Sequence, residues 1–190
     1  MKKVSAGAVI ICAVIYLLLY PVGSACGLIH PMCYAFVGTI LPLLFAFVYL
    51  YTAAHMRCFG AALCLNGFVL IAGLITGEAD VSFIIITAVI TLAAELIRMA
   101  CGYDTLKGVR YSFIPFAYSF YAYTAHWWTD TENALAAAVE EMPEGYAAKM
   151  QTVIDNVPLL CIALILVIPV AILAMRLAEK VMKKTAASLN

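Results

Sequence analysis

The chain has 190 residues, 66% hydrophobic and 12% charged, with a mean hydropathy of +1.02 and a formal net charge of zero. That makeup is foreign to soluble globular domains and describes a multi-pass membrane protein, and with no basic cluster interleaved with aromatics a nucleic-acid partner is set aside. A bilayer core about 30 Å thick takes roughly 20 apolar residues per helical span, which gives room for about six spans and no separate soluble domain.

Apolar runs between punctuation residues predict an all-α membrane protein, one integral membrane domain over 1–190. Its six transmembrane helices are expected near 4–20, 33–54, 60–76, 81–101, 111–128 and 157–178. The first is expected to stop at Pro21 and Gly23. Its basic start and the Gly23-Ser24-Ala25 before Cys26 resemble a cleavable signal, but about 17 apolar residues exceed the usual h-region, and a retained helix is expected. His30-Pro31 opens the second span, and Pro42, Pro115 and Pro169 fall inside spans and predict kinks. Asn66 in the third is a candidate for an interhelical hydrogen bond. Glu95 and Arg98 in the fourth are expected to form an i, i+3 ion pair. Between the fifth and sixth spans, 129–156 reads as an external helical hairpin. Thr129 and Glu132 suit a capping box, Pro143-Glu144-Gly145 is the break, and Asp155-Asn156-Val157-Pro158 is a capped start for the sixth span.

Ten of the eleven basic residues fall on one side of this topology and only Lys149 on the other, which places both termini in the cytoplasm of a cell-membrane protein. Glu78, Asp80, Asp130, Glu132, Glu140, Glu141, Glu144 and Asp155 face outward, an acidic mouth that suits a neutral or cationic ligand.

Motifs for catalysis do not appear. The sequence has no G-x-x-x-x-G-K-[ST] loop for ATP, no H-E-x-x-H and no G-x-S-x-G, and its seven cysteines contain no C-x-x-C, so neither an enzyme nor a metal or other cofactor is expected. Cys26 and Cys33 could oxidise together, though small buried thiols are the simpler reading. Small residues mark helix contacts: Ser5, Ala8 and Cys12 in the first span, Gly60, Cys64 and Gly67 in the third, and Ala171, Ala174 and Ala178 in the sixth.

The stretch YSFYAYTAHWW at 118–128 holds seven aromatic side chains in eleven positions, counting His126. On a helix Phe113, Phe116, Phe120, Tyr123 and Trp127 share one stripe, and Tyr118, Tyr121 and Trp128 share the adjacent face. An interfacial belt accounts for the tryptophans. The deeper tyrosines need hydrogen-bond partners, and core packing and the wall of a ligand site fit them equally. The candidate substrate-binding residues are Tyr118, Tyr121, Tyr123, His126, Trp127 and Asn156.

Four segments carry a resemblance: LPLLFAFVYLYTAAHMRCFGAALCLNGFVLIAGLITG at 41–77, AAELIRMACGYDTLKGVRYS at 93–112, EGYAAKM at 144–150 and the basic tail LAEKVMKK. In these the chain resembles the Trep_Strep (MptD-type) group of bacterial integral membrane proteins, substrate-binding (S) components of energy-coupling-factor (ECF) transporters. The resemblance implies a component that captures a vitamin or similar micronutrient outside. Its partners would be a transmembrane T subunit and two ATPase subunits, whose ATP hydrolysis tips it in the membrane. S components often carry Ala-x-x-x-Ala on the first helix for docking to T; here the positions are Ala8 and Cys12, with Ala13 adjacent. A self-sufficient secondary transporter and a non-transport assembly or interaction protein are the competing readings.

Overall fold

The computed structural model describes residues 6–189, and these are all α. Lys2, Lys3 and Ser5, which entered the charge and small-residue readings, lie outside the described residues. α1 (Ala6–Ala25) runs into a 3-10 turn at Cys26–Leu28, followed by α2 (Pro31–Ile40) and α3 (Pro42–His55). Next come α4 (Ala61–Thr76), α5 (Val81–Cys101) and the three pieces α6 (Leu106–Phe116), α7 (Ser119–Thr124) and α8 (His126–Thr129). The hairpin is α9 (Thr131–Glu141) and α10 (Tyr146–Asp155); α11 (Val157–Val181) and α12 (Lys183–Ala187) complete the described chain. Four stretches are long and apolar enough to cross a bilayer: Gly7–Leu28, Pro31–His55, Val81–Cys101 and Val157–Val181. α4 is apolar but shorter.

Local chemistry explains where most of these begin. His30, in extended backbone, accepts the Met32 N–H on Nδ1 ahead of Pro31 at the first turn of α2. Asp80 caps α5 through the Phe83 N–H at 2.5 Å, and Asn156 caps α11 through the Leu159 N–H at 3.1 Å. α2 gives way to α3 at Leu41, because Pro42 has no N–H with which to continue the ladder.

Several expectations are corrected. α1 does not stop at Pro21 or Gly23 but continues to Ala25; a proline removes only one ladder bond, and Tyr16 and Tyr20 anchor the helix in the core. The fifth apolar segment starts at Leu106 rather than 111, because Thr105 Oγ1 accepts the Gly108 N–H at 2.9 Å and caps a turn too polar for a hydropathy reading. That segment is also interrupted, turning at Ala117–Tyr118 just after Pro115, whereas α11 passes Pro169 without a break. Thr129 makes no capping box. It ends α8 with its hydroxyl on the Ala125 carbonyl, and Asp130 precedes α9 with its carboxylate on Asn133 Nδ2.

The main core runs down the bundle from Phe120 and Tyr20 past Phe116, Phe45 and Tyr49 to Leu189. Asn66 makes the expected interhelical bonds, accepting from Tyr16 OH at 2.8 Å and donating to Thr91 Oγ1 at 2.9 Å, so α1, α4 and α5 meet at one amide. Ala171, Ala174 and Ala178 are fully buried on α11, whose main neighbour is α3. α5 and α6 pack most closely of all. A Cβ on Gly108 would lie 2.1 Å from the Gly102 carbonyl oxygen, so that approach requires glycine.

Glu95 and Arg98 are both fully buried, but they do not pair with each other. Glu95 Oε1 accepts the Ala62 N–H at 2.7 Å, at the start of α4. Arg98 donates from Nη2 to the carbonyls of Ala53, Met56 and Tyr103 at 3.2, 2.9 and 3.0 Å, and from Nη1 to Cys58 at 3.5 Å. The competing partners are main-chain groups at the end of α3, in the α3–α4 turn, at the start of α4 and in the α5–α6 connection, where the helical ladders leave them orphaned. Among the described residues the single ion pair is Arg110 with Glu179, at 2.6 Å. The chain end closes the same side of the bundle: the Leu106 N–H reaches Leu189 O at 3.1 Å, and Arg57 Nη2 reaches Ser188 O at 2.5 Å.

Arg98→Met removes all four of the hydrogen bonds that Arg98 donates and is expected to destabilise the protein by about 3 kcal/mol or more, whereas Glu95→Gln keeps an acceptor for Ala62 and costs about 1 kcal/mol. Thermal unfolding in detergent measures both, and equal losses would contradict the assignment of Arg98 as the dominant tie.

An aromatic seam beneath the hairpin as candidate functional site

The hairpin is amphipathic, and its apolar side builds a second, smaller core. Ala138 of α9 and Tyr146, Met150, Val153 and Ile154 of α10 pack against Tyr34 and Ala35 of α2 and Trp127 of α8. Burial pushes the Tyr146 phenol above its ordinary range. Tyr34 and Trp127 meet with ring centroids 4.8 Å apart and form the platform on which the apolar side of the hairpin rests.

Tyr123 packs against both cores and lies in the seam between them. Its ring has Phe83, Phe120 and Tyr20 at 5.7, 5.8 and 5.9 Å, and His126 and Tyr34 at 6.4 and 6.5 Å. None of the five is stacked. The interplanar angles run from 53° to 81°, the steep geometry in which the positive edge of one ring meets the negative face of another. The Tyr123 hydroxyl donates to Glu78 Oε2 at 3.4 Å, and Glu78 itself is exposed in the α4–α5 connection. Five elements (α1, α2, α5, α7 and α8) thus supply rings to one point, and a carboxylate stands at its rim.

The predicted site residues divide among four places. Tyr123, His126 and Trp127 belong to the seam. Tyr121 turns the other way: it is buried, shares a 2.6 Å hydrogen bond with Thr39 Oγ1, and its ring lies where a Cβ on Gly38 would approach to 2.9 Å. Tyr118 is half-buried and donates to the Leu164 carbonyl at 2.8 Å, which ties α7 to α11. Asn156 caps α11 and lines a separate open cleft of about 220 Å³ with His30, Met32, Lys149, Thr152 and Leu159. The Trp128 indole N–H is buried and meets no acceptor among the described residues.

Sequence reasoning missed Tyr20, Tyr34 and Phe83, and took Glu78 only as one of the eight acids of the outer mouth. Each stands on a different element, so no local spacing joins them; the one available signal was the Tyr16 and Tyr20 pair at i, i+4, whose rings lie 5.5 Å apart on the inner face of α1. The docking positions also separate. Ala13 and Cys12 are buried within the bundle, which leaves Ala8 half-exposed. Cys26 and Cys33 are both free thiols.

Long apolar helices around a shared core, with most of their outer side chains apolar, define a multi-pass integral protein of the bacterial cell membrane. The chain belongs to the Trep_Strep family, described as a hypothetical bacterial integral membrane protein, whose family model matches residues 6–186. No curated protein and no solved structure matches the chain.

Trp127→Ala is expected to destabilise the protein by about 3 kcal/mol and to release the hairpin first. Limited proteolysis after Glu144 should therefore accelerate several-fold in this variant while the bundle stays resistant. An unchanged cleavage rate would mean that the Tyr34–Trp127 contact does not hold the hairpin down.

Proposed function

We propose that this protein is the substrate-binding S component of an ATP-driven ECF-type importer, capturing a small ring-bearing micronutrient, neutral or cationic, at its outer face. The observation that carries the proposal is the seam: a ring of aromatic side chains with a carboxylate at its rim, covered by a folded hairpin. Such a surface suits a flat molecule with a few polar or charged groups. In this reading the chain crosses the membrane six times, through α1, α2–α3, α4, α5, α6–α8 and α11, with both termini in the cytoplasm and the hairpin outside.

The energy source is placed in partner subunits. The sequence offers no ATP loop. The two fully buried charged side chains, which a proton or sodium carrier would need for its relay, are engaged with main-chain groups at the α3–α4 turn. This favours the S-component reading over a self-sufficient transporter. The partners are a T subunit and two ATPases, and the half-exposed Ala8 is the docking position that remains on an accessible face of α1.

Protein purified gently from its native membrane is expected to carry the T and ATPase subunits with it, and native mass spectrometry should find a retained small molecule. Ala8→Leu should weaken that assembly and spare ligand binding. Uptake by proteoliposomes containing this chain alone would overturn the proposal in favour of a secondary transporter. Failure to bind any small molecule would leave an assembly or interaction protein.

A further inference from the structure

Resting on the capture reading, we infer that the seam selects an organic cation, a quaternary or aryl-substituted ammonium, which displaces the Tyr123 ring and takes Glu78 as its counter-charge. Four observations support this assignment. First, rings from Tyr20, Tyr34, Phe83 and Phe120 surround one point at 5.7–6.5 Å from the Tyr123 centroid. A cation within about 6 Å of aromatic faces is attracted by their quadrupoles, and more strongly where water is excluded. All four of those side chains are buried.

Second, Glu78 has no cationic partner among the described residues. Its recorded contact is a neutral phenol at 3.4 Å, a long hydrogen bond that a cation would readily replace. Third, the neighbouring polar groups are already engaged. Asp80 holds the Phe83 N–H, His126 Nδ1 is bonded to the Tyr123 carbonyl, and Lys149, the one basic residue of the hairpin, lines the other cleft. Nothing cationic therefore competes at this rim.

Fourth, Tyr123 is placed to leave. It is half-buried and sits on α7, six residues long, with a turn at Ala117–Tyr118 on one side and a break at Ala125 on the other. Its hydroxyl is held only by the long bond to Glu78 and by the neighbouring Ser24 side chain. When the ring swings outward, it vacates a ring-sized space lined by aromatic rings and opens it toward the exposed carboxylate.

The test uses full-length protein in detergent, with the fluorescence of Trp127 and Trp128 as readout. Three probes of similar shape are titrated: phenyltrimethylammonium, its uncharged isostere tert-butylbenzene, and benzenesulfonate. The cation is expected to give a saturable change, the anion none, and the neutral compound at least tenfold weaker binding. Glu78→Gln, an exposed position, should reduce cation affinity at least tenfold with an unchanged melting temperature. Tyr123→Ala should tighten cation binding, because the resident ring no longer has to be displaced. Saturation by the neutral isostere at equal affinity, or indifference to Glu78→Gln, would overturn the cation assignment and leave the capture site in place. Saturation by none of the probes in wild type or Tyr123→Ala, with both folded, would make the seam a packing contact and remove the site on which the capture reading rests.

Discussion

One guanidinium organises the end of the bundle opposite the hairpin. The last turn of α3 and the first of α4 leave main-chain groups without helical partners, and the buried ones among them need internal donors and acceptors. Arg98, with no exposed surface, gives its protons to carbonyls at the end of α3, in the turn and in the α5–α6 connection. Glu95, one turn earlier on the same helix, takes an N–H from the first turn of α4. Each charge also has the sign that its helix end favours, anionic at an N-terminus and cationic at a C-terminus. α3, α4 and the α5–α6 connection are thereby held in register from one face of α5. The close contact of Gly108 with Gly102 and the tie from Leu106 to Leu189 tighten the same end.

The hairpin end is built differently. Its helices α7 to α10 are short and have no side-chain caps, the chain breaks at Leu41 and at Ala117–Tyr118, and the two broken elements meet where Thr39 shares its hydrogen bond with Tyr121. Contacts there are mostly ring against ring, each worth about 1 kcal/mol beyond its buried area and tolerant of a range of angles. The charged ties are concentrated at the rigid end and the adaptable contacts at the other. A bundle arranged in this way can rearrange beside the hairpin without disturbing the Arg98 turn, and this is also where the candidate site lies.

Much of this was legible in the sequence wherever the cause was local. The limits of α5 and the start of α11 follow from Asp80 and Asn156, side chains that cap their own helices. The inward stripe of Phe113, Phe116 and Phe120 follows from helical period, and all three are fully buried. Errors arose where a distant partner decided the outcome. Glu95 and Arg98 have the spacing of an ion pair, but main-chain groups some forty positions away in the chain compete for them. Tyr121 and Tyr123 are two residues apart in one aromatic run, yet they point into different contacts, one onto Gly38 and Thr39 and the other into the seam. Composition could place aromatics near the site, but it could not distribute them between scaffold and wall. Tyr34 carried no local signal and Glu78 only that of an outward-facing acid, since their places at the seam exist only once α2 and the α4–α5 connection are packed beside α7.

On the capture reading, the seam is a binding site filled by its own side chain. An empty aromatic cavity beside the bilayer would either collapse or admit a lipid chain; a resident tyrosine keeps the seam dry and shaped. The ligand must then compete with that ring, and if the ring is displaced in only one molecule in a hundred, apparent affinity falls about 100-fold from its intrinsic value. On the capture reading that loss has a use. The same tyrosine, once the surrounding helices shift by the small amount that their breaks permit, can reclaim its place and expel what it had admitted. Capture would then depend on a ligand that offers the rings and Glu78 more than a neutral phenol does, and release on restoring the phenol's advantage. Both steps act at the hairpin end and leave the Arg98 turn intact.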